Sequence, residues 1–451
     1  MPDFLHLKPE EVDTVEKRGK YKISIVGCGP RGIYSVIKCA KAGYKVVGTD
    51  ADQSVVKRLL KGKMSTPDRD MECELKSFLR KGMLTFTSDL NFAVVQSDVI
   101  VLTVAAKIDP KKSASYSEIE NSNKQIGTAL KKGKLVIYGG IASLGLMEGV
   151  IEETLENSSG LKAGEDFGLV YNPILISDGE GVPESLCNTE LIIGANDGNS
   201  AESAEIVLNS LTGKRVKQVL DFKTAELAVL FIVARQDLNM ALSNELAMLC
   251  QNAGNDYLKT SIADIGSHGF GMAPTVADGR WRDEIYLLLE SAENLNAKLR
   301  LTTVGRQINE GMTKYTVNLV QDTLHSCGKT LRRARITLLG KKRPTTSEDD
   351  FIRLLEAKGA KVCLFHPFLF GSAFSNIRTA TGRTLIEASE GSDCILILAD
   401  NPQLNNLNLK NLRTVMRAPA AIIDLARVIS PDDVVKEGFI YRGLGRGSEK
   451  K

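Results

Sequence analysis

Histidine is scarce in this chain. The four that occur, His6, His268, His325 and His366, are not spaced as a metal-binding pair, so no histidine-ligated metal centre is expected. Strong net charge is missing too: 58 Lys and Arg stand against 55 Asp and Glu, and the resulting +3 is too weak a field to draw in nucleic acid or an acidic membrane. The densest basic run, Lys329 to Arg335, lies between two apolar patterns and reads as a solvated linker. Eight cysteines show no C-x-x-C spacing, and the N-terminal stretch Met1 to Lys20 has no apolar core of the signal-peptide kind. A reducing, cytoplasmic setting is expected.

What is present is an ordinary globular balance. Hydrophobic residues make up 43% and charged residues 25% of 451, and a chain of that length forms two or three domains rather than one core.

The most informative stretch is KISIVGCGPRGIYSVIKCAKAGYKVVGTD, Lys22 to Asp50. It parses as strand, tight turn, helix, strand, with G-x-G-x-x-G falling on Gly27, Gly29 and Gly32 at the end of the first strand. The first glycine permits the sharp turn, the second lets backbone approach a pyrophosphate, and the third lets helix and strand pack closely. Cys28, Pro30 and Arg31 fill the intervening positions, and the helix start turns its unpaired N–H groups toward the phosphates. The second strand ends in Asp50. A carboxylate there accepts hydrogen bonds from the adenosine ribose and repels a 2′-phosphate, so NAD is expected over NADP.

Further strands are read at LTFTSD, SDVIVLTVAA, KLVIYGG and DFGLVYNP, separated by helical patterns. That alternation predicts a parallel, doubly wound sheet. From about Lys223 to Gly254 the pattern becomes a long helix, apolar on more than one face, with more helices after it. At RARITLLG strands resume, through AKVCLFHP, SDCILILAD and AAIIDLARV. The expected division is an N-terminal extension (1–20), an NAD-binding Rossmann domain (21–220), a helical central and dimerisation domain (221–328) and a second Rossmann-like domain (329–451).

That order of parts, with GEDFGLVYNP (Gly164 to Pro173), TAEL opening the long helix, NELAMLC within it, GFG at Gly269 to Gly271 and GFIYRGLGRG (Gly438 to Gly447), resembles the UDP-glucose/GDP-mannose dehydrogenase family. The branch acting on UDP-N-acetylmannosamine is similar as well. The resemblance implies two Rossmann-like domains joined by a helical one, a homodimer built on the long helix, and use of NAD twice to oxidise the terminal CH2OH of a UDP-sugar to a carboxylate through a cysteine thioester. It also implies that Phe270, Gly271 and Arg442 contact the nucleotide sugar.

The residues expected for that chemistry are largely absent. Where the family carries Lys and Asn on one face of the long helix, to steady a developing alkoxide, this chain has Val229 and Val233. The Glu expected after Y-N-P is Ile174, the Ser-Thr pair after the preceding strand is Gly139-Gly140, and the V-x-T-P turn is Val104 to Lys107. The catalytic cysteine falls on Pro274 counted from Gly269, with Asp278 at the family's Asp, or on Gly279 counted from Arg282-Asp283. Thioester formation needs a sulfur there. Cys250, Cys363 and Cys394 read as packing residues. In the C-terminal part, Lys341, Lys342 and Arg343 form an exposed basic cluster that reads first as a solvated loop and second as a diphosphate contact, and Arg446 accompanies Arg442. Three readings follow: a nucleotide-sugar dehydrogenase with a rearranged site, a non-catalytic homologue that binds NAD as sensor or partner subunit, and an oxidoreductase with another substrate.

Overall fold

Short β-branched runs form the strands of the first of two units. They are β1 (Lys22–Val26), β2 (Lys45–Thr49), β3 (Leu84–Thr87), β4 (Val99–Leu102), the small pair β5 (Lys107–Ile108) and β6 (Ala114–Ser115), β7 (Leu135–Tyr138), β8 (Gly168–Tyr171), β9 (Ile192–Gly194) and β10 (Gln218–Leu220). The computed structural model describes residues 3–64, 69–174, 192–212, 218–261, 283–340, 346–365, 384–398 and 407–446. By contacts the chain divides into Met1–Ser177, Gly181–Ala234 and Asp283–Lys298 on one side, and Asp178–Glu180, Arg235–Arg282 and Leu299–Lys451 on the other.

The first unit holds an 8-stranded sheet in the order β10-β9-β8-β7-β4-β1-β2-β3. Its pairs are parallel except β8 with β9, which meet antiparallel at Tyr171 and Gly194. Every position of β4, β7 and β8 is buried, as strands covered by helices on both faces require. The chain builds β1, β2 and β3 outward, then crosses back to β4 on the other side of β1. Loops leaving β1 and β4 therefore diverge, and a crevice opens at their C-terminal ends. The strands and the doubly wound class expected from the sequence are all present.

The N-terminal extension is an ordered part of this unit, which composition did not reveal. Phe4, Leu5, Leu7 and Val12 are buried, the Phe4 N–H donates to the Gly133 carbonyl at 2.7 Å, and the Phe4 ring meets Tyr21 edge-on.

The second unit carries a fully parallel 5-stranded sheet in the order β12-β11-β13-β14-β15. Its strands are β11 (Arg335–Leu339), β12 (Lys361–Phe365), β13 (Cys394–Ile397), β14 (Ala421–Asp424) and β15 (Ile440–Gly443). Ile336, Leu338, Leu364, Leu396 and Ile423 form its core with residues of the helix Arg300–Ser326. The long helix runs Phe222–Asn252, beginning in the first unit and ending in the second. In its second part it meets Arg300–Ser326 through a buried polar ladder. Arg306 Nη1 lies 2.9 Å from Asp237 Oδ1, Asn309 Nδ2 donates to that same oxygen at 3.0 Å, and Asn244 Nδ2 donates to Asn309 Oδ1 at 3.0 Å. A Cβ at Gly305 would stand 2.8 Å from Leu238 Cδ2, so the two backbones approach where no side chain intervenes.

The basic run Lys329 to Arg335 is a connector, and Arg332, Arg333 and Arg335 are exposed as expected. Lys329 is the exception: its ammonium lies 2.8 Å from the buried Asp393 carboxylate and donates to the Arg417 carbonyl at 2.6 Å. Among the described residues no helix is long and apolar enough to cross a membrane, and no group of three or more His, Cys, Asp or Glu is placed to hold a metal ion.

Candidate functional site

Glycine geometry builds a cradle at the end of β1. Gly27 has φ +91, where L side chains are strained, and a Cβ there would press on Val104 and the Thr103 hydroxyl at 3.1 and 3.2 Å. A Cβ on Gly32 would fall 1.8 Å from the Gly27 carbonyl oxygen, so only glycine lets the helix Pro30–Lys41 start against the turn. The Thr103 hydroxyl donates to that carbonyl at 2.7 Å and ties the turn to the end of β4. Gly29 is the helix N-cap and offers no side-chain cap. A Cβ there would meet nothing within 4 Å, so the first-turn N–H groups face open space.

Asp50 sits beside this turn and does more than the sequence suggested. Its Oδ2 accepts from the Cys28 N–H at 2.9 Å and its Oδ1 from the Asp52 N–H at 2.9 Å, which fixes both the glycine turn and the carboxylate. Each oxygen retains a lone pair for a hydroxyl. Cys28 itself is buried, its Sγ 3.5 Å from the Thr49 carbonyl, and burial pushes its thiol far above the usual range. It is an inert filler, not a thiolate.

Arg31, the second residue of that helix, sends its guanidinium to Glu284, the first residue of the helix Glu284–Asn294, at 2.5 Å. Their side chains are 11% and 19% exposed, and the Arg31 Nε has neither solvent nor a hydrogen-bond partner. Burial raises the Glu284 carboxyl in spite of the cation beside it. Glu284–Asn294 also reaches the loops after β4 and β7. Tyr116 donates to Glu290 at 3.0 Å, Lys112 lies 5.1 Å from the Tyr286 ring centre, and the Leu144 N–H donates to the Ser291 hydroxyl at 3.2 Å.

The loop after β7 is held by one carboxylate. Glu226 of TAEL is fully buried, and its two oxygens accept from the Gly145 N–H at 2.6 Å and the Met147 N–H at 2.8 Å. Burial lifts its pKa to about 7 against the lowering effect of those two donors. The Ala142 N–H donates to the Tyr171 hydroxyl at 3.3 Å.

Where a polar carbinol site was expected, the lining is hydrocarbon and phenol. Val229 and Val233 are fully buried. Ile174 takes the space a side chain on Gly139 would need, its Cδ1 2.8 Å from that Cβ position, and the Tyr138 hydroxyl takes the space beside Gly140 at 2.4 Å. Tyr138 is fully buried and its hydroxyl has no hydrogen-bond partner. Ile174 and Tyr138 thus fill the space over the two adjacent glycines.

Phe270, Gly271, Pro274, Asp278 and Gly279 lie outside the described residues, as do Lys341, Lys342 and Arg343. Arg442, on β15, donates to the Tyr441 carbonyl at 3.0 Å, and Arg446 lies 3.7 Å from Asp256. Cys394 is buried as expected, whereas Cys250 and Cys363 are only partly covered. Glu226, Glu284 and Tyr138 escaped the sequence reading. A lone acid at the apolar start of the long helix was the one available signal for Glu226.

The NAD binding domain model of the UDP-glucose/GDP-mannose dehydrogenase family matches residues 21–212. A UDP-N-acetyl-D-mannosamine dehydrogenase of Pyrococcus horikoshii is 27% identical over 439 residues, covering 94% of this chain and 99% of that one. Residues 21–212 form an NAD binding domain of the UDP-glucose/GDP-mannose dehydrogenase family. The UDP-glucose 6-dehydrogenase TuaD of Bacillus subtilis is 24% identical over 441 residues, covering 94% of this chain and 93% of its own. Among solved structures, a UDP-D-ManNAc dehydrogenase from Pyrococcus horikoshii superposes with a TM-score of 0.80 at 25% identity, over 94% of this chain and 99% of that chain. The chain keeps the family's dinucleotide fold and departs from its expected catalytic side chains.

Proposed function

We propose that this chain binds NAD in the Gly27–Gly32 cradle and a UDP-sugar in its C-terminal part, and that it does not carry a UDP-sugar through to the uronate. The cradle carries the first half of this reading. Gly27 and Gly32 let turn and helix close up where a Cβ would collide, Gly29 leaves open space before the helix start, the first-turn N–H groups of the helix Pro30–Lys41 are free for a diphosphate, and Asp50 is anchored to receive ribose hydroxyls. The residues present fit NAD, which when bound supplies a hydride acceptor. The chain's own part is to orient that dinucleotide through the Arg31 and Gly32 N–H groups of the first turn, which Cys28 and Pro30 shape, and to exclude water behind it with Val104 and Ile174.

The carbinol end carries the second half. Buried Val229 and Val233 offer no donor to a developing alkoxide, and each missing donor of that kind costs roughly 2.7–4 kcal/mol of transition-state stabilisation. Removing a proton from the CH–OH group therefore falls to groups other than the family's. The packing of Ile174 on Gly139 and of Tyr138 on Gly140 favours a second reading, a homologue that binds NAD and a nucleotide sugar as sensor or partner subunit. In either case the division of labour is NAD at residues 21–220, association through 221–328 and nucleotide sugar at 329–451 with Phe270, Gly271 and Arg442. The assembly is a cytoplasmic homodimer.

The deciding experiment incubates the purified chain with NAD and UDP-glucose or UDP-N-acetylmannosamine, following NADH by absorbance and product by mass spectrometry. NAD binds by calorimetry and no uronate forms. Two NADH per sugar with the uronate detected would overturn the reading.

A further inference from the structure

Arg31 occupies an unusual place for a buried cation. Its backbone belongs to the first turn of the cradle helix, where an anionic diphosphate is received, yet its guanidinium is turned away from solvent and set on Glu284. The pairing is incomplete: Nε is buried with no partner, while Glu284, at a helix N-terminus, answers only one edge of the fork. A buried guanidinium with an unanswered N–H is costly unless another acceptor completes it. The Tyr138 hydroxyl, also buried and unpartnered, lies close enough to feel the Arg31 charge. Arg31 thus holds a buried, incompletely paired charge within one side chain's length of the first turn of the cradle helix.

We propose that Arg31 is a specificity residue for the dinucleotide's diphosphate, its charge partly neutralised by Glu284, so that occupation of the cradle loosens Glu284 and the first turn of the helix Glu284–Asn294. This rests on the reading that the cradle takes NAD, and deepens it. An arginine side chain reaches about 6–7 Å from its own Cα, so the Arg31 charge stays within about that distance of the first-turn backbone that would receive a diphosphate. At an effective dielectric constant near 20, a unit charge pair at about that separation shifts a binding constant by more than tenfold, and screening by salt reduces this to about five- to tenfold. Glu284 opposes the effect from farther along the same side chain. By linkage, the repulsion by which Glu284 weakens diphosphate binding weakens the Arg31–Glu284 pair by the same amount when the diphosphate is bound. Because that helix contacts loops after β4 and β7 through Lys112, Tyr116 and Leu144, the loosening is felt around the whole crevice.

The test measures binding by calorimetry with ADP-ribose, which keeps the diphosphate and lacks nicotinamide, and with adenosine, which lacks both. Arg31→Met weakens ADP-ribose about five- to tenfold, Arg31→Lys stays within about twofold of the parent, and Glu284→Gln tightens it about fivefold. Adenosine is indifferent to all three. Amide exchange at the first turn of Glu284–Asn294 quickens when ADP-ribose is added to the parent. Thermal melting checks each variant's fold, and if Arg31→Met does not fold, Glu284→Gln alone decides. Equal ADP-ribose affinity in parent and folded variants, or weaker binding by Glu284→Gln, overturns the proposal while leaving the cofactor reading intact. A parent that binds neither NAD nor ADP-ribose overturns both.

Discussion

Glu226→Gln separates what the buried carboxylate does from what its charge costs. The parent carboxylate accepts two backbone N–H groups, from Gly145 and Met147. A glutamine presents one acceptor oxygen and one NH2, so one of those N–H groups faces a donor. That loss, an acceptor for one buried N–H, costs about 1–3 kcal/mol. Against it stands the burial of charge. A carboxyl shifted from 4.5 to about 7, at about 1.4 kcal/mol per unit, is destabilised when ionised by about 3 kcal/mol.

The sign follows from proton uptake. The folded-state pKa is raised, so the protonated form's stabilising contribution is fully present below about 4.5 and lost as the pH rises through about 7. Groups facing Glu226 are Lys223 on its own helix, Glu148 on the turn after the clamped loop, and the phenols of Tyr116, Tyr138 and Tyr171. None of the phenols titrates in that window. Chemical unfolding of parent and Glu226→Gln across pH 4.5–8 gives a gap that shifts by about 3 kcal/mol in the variant's favour as the pH rises: the variant is less stable by about 1–3 kcal/mol at the acid end and equal to or more stable than the parent near pH 8. A constant gap across the range would refute the argument, because it would mean that Glu226 does not change protonation in the fold.

Asp50→Ala weakens NAD by about 1–3 kcal/mol in calorimetry, through loss of charge-assisted bonds to ribose and of the Cys28 anchor; equal parent affinity for NAD and NADP counts against this placement. Leu242 and Leu249 stand 46% and 62% exposed along the long helix, and light scattering shows a dimer that Leu242→Lys with Leu249→Lys breaks, whereas a parent monomer at micromolar concentration defeats the dimer. Gly140→Thr costs about 1–3 kcal/mol by thermal or chemical unfolding, since its Cβ would lie 2.4 Å from the Tyr138 hydroxyl, and Tyr138→Ala in the same chain recovers part of the loss; a neutral Gly140→Thr would show that Tyr138 moves freely.

The sheet was legible because the physics that forms it is local. Runs such as VIVL and LVIY are buried at every position in β4 and β7, and a strand covered on both faces has no alternation to hide it. The cradle was legible for the same reason: Gly27 and Gly32 are demanded by contacts within a few residues of themselves, so the motif and the geometry coincide. Glu284 was not legible as the partner of Arg31, since the two are far apart in sequence and join only when the helix Glu284–Asn294 returns to the first unit. Nor was Phe4, whose burial depends on Tyr21 and on the Gly133 carbonyl and not on any pattern of its own.

The absent catalytic residues gain meaning from what replaced them. A single loss, such as a valine at position 229, would leave the surrounding polar shell in place and a cavity or an orphaned group to mark it. Here Val229 and Val233 are fully buried, Ile174 occupies the room over Gly139, and Tyr138 occupies the room beside Gly140. A side chain restored at Gly139 or Gly140 alone meets Ile174 or Tyr138 already standing there, so each of those two changes calls for a second one beside it. The cradle shows no such refilling: the space in front of Gly29 is open, and Asp50 is held in place by two backbone donors. The open dinucleotide cradle beside filled space at Gly139 and Gly140 is the contrast on which the proposal of NAD binding without uronate formation rests.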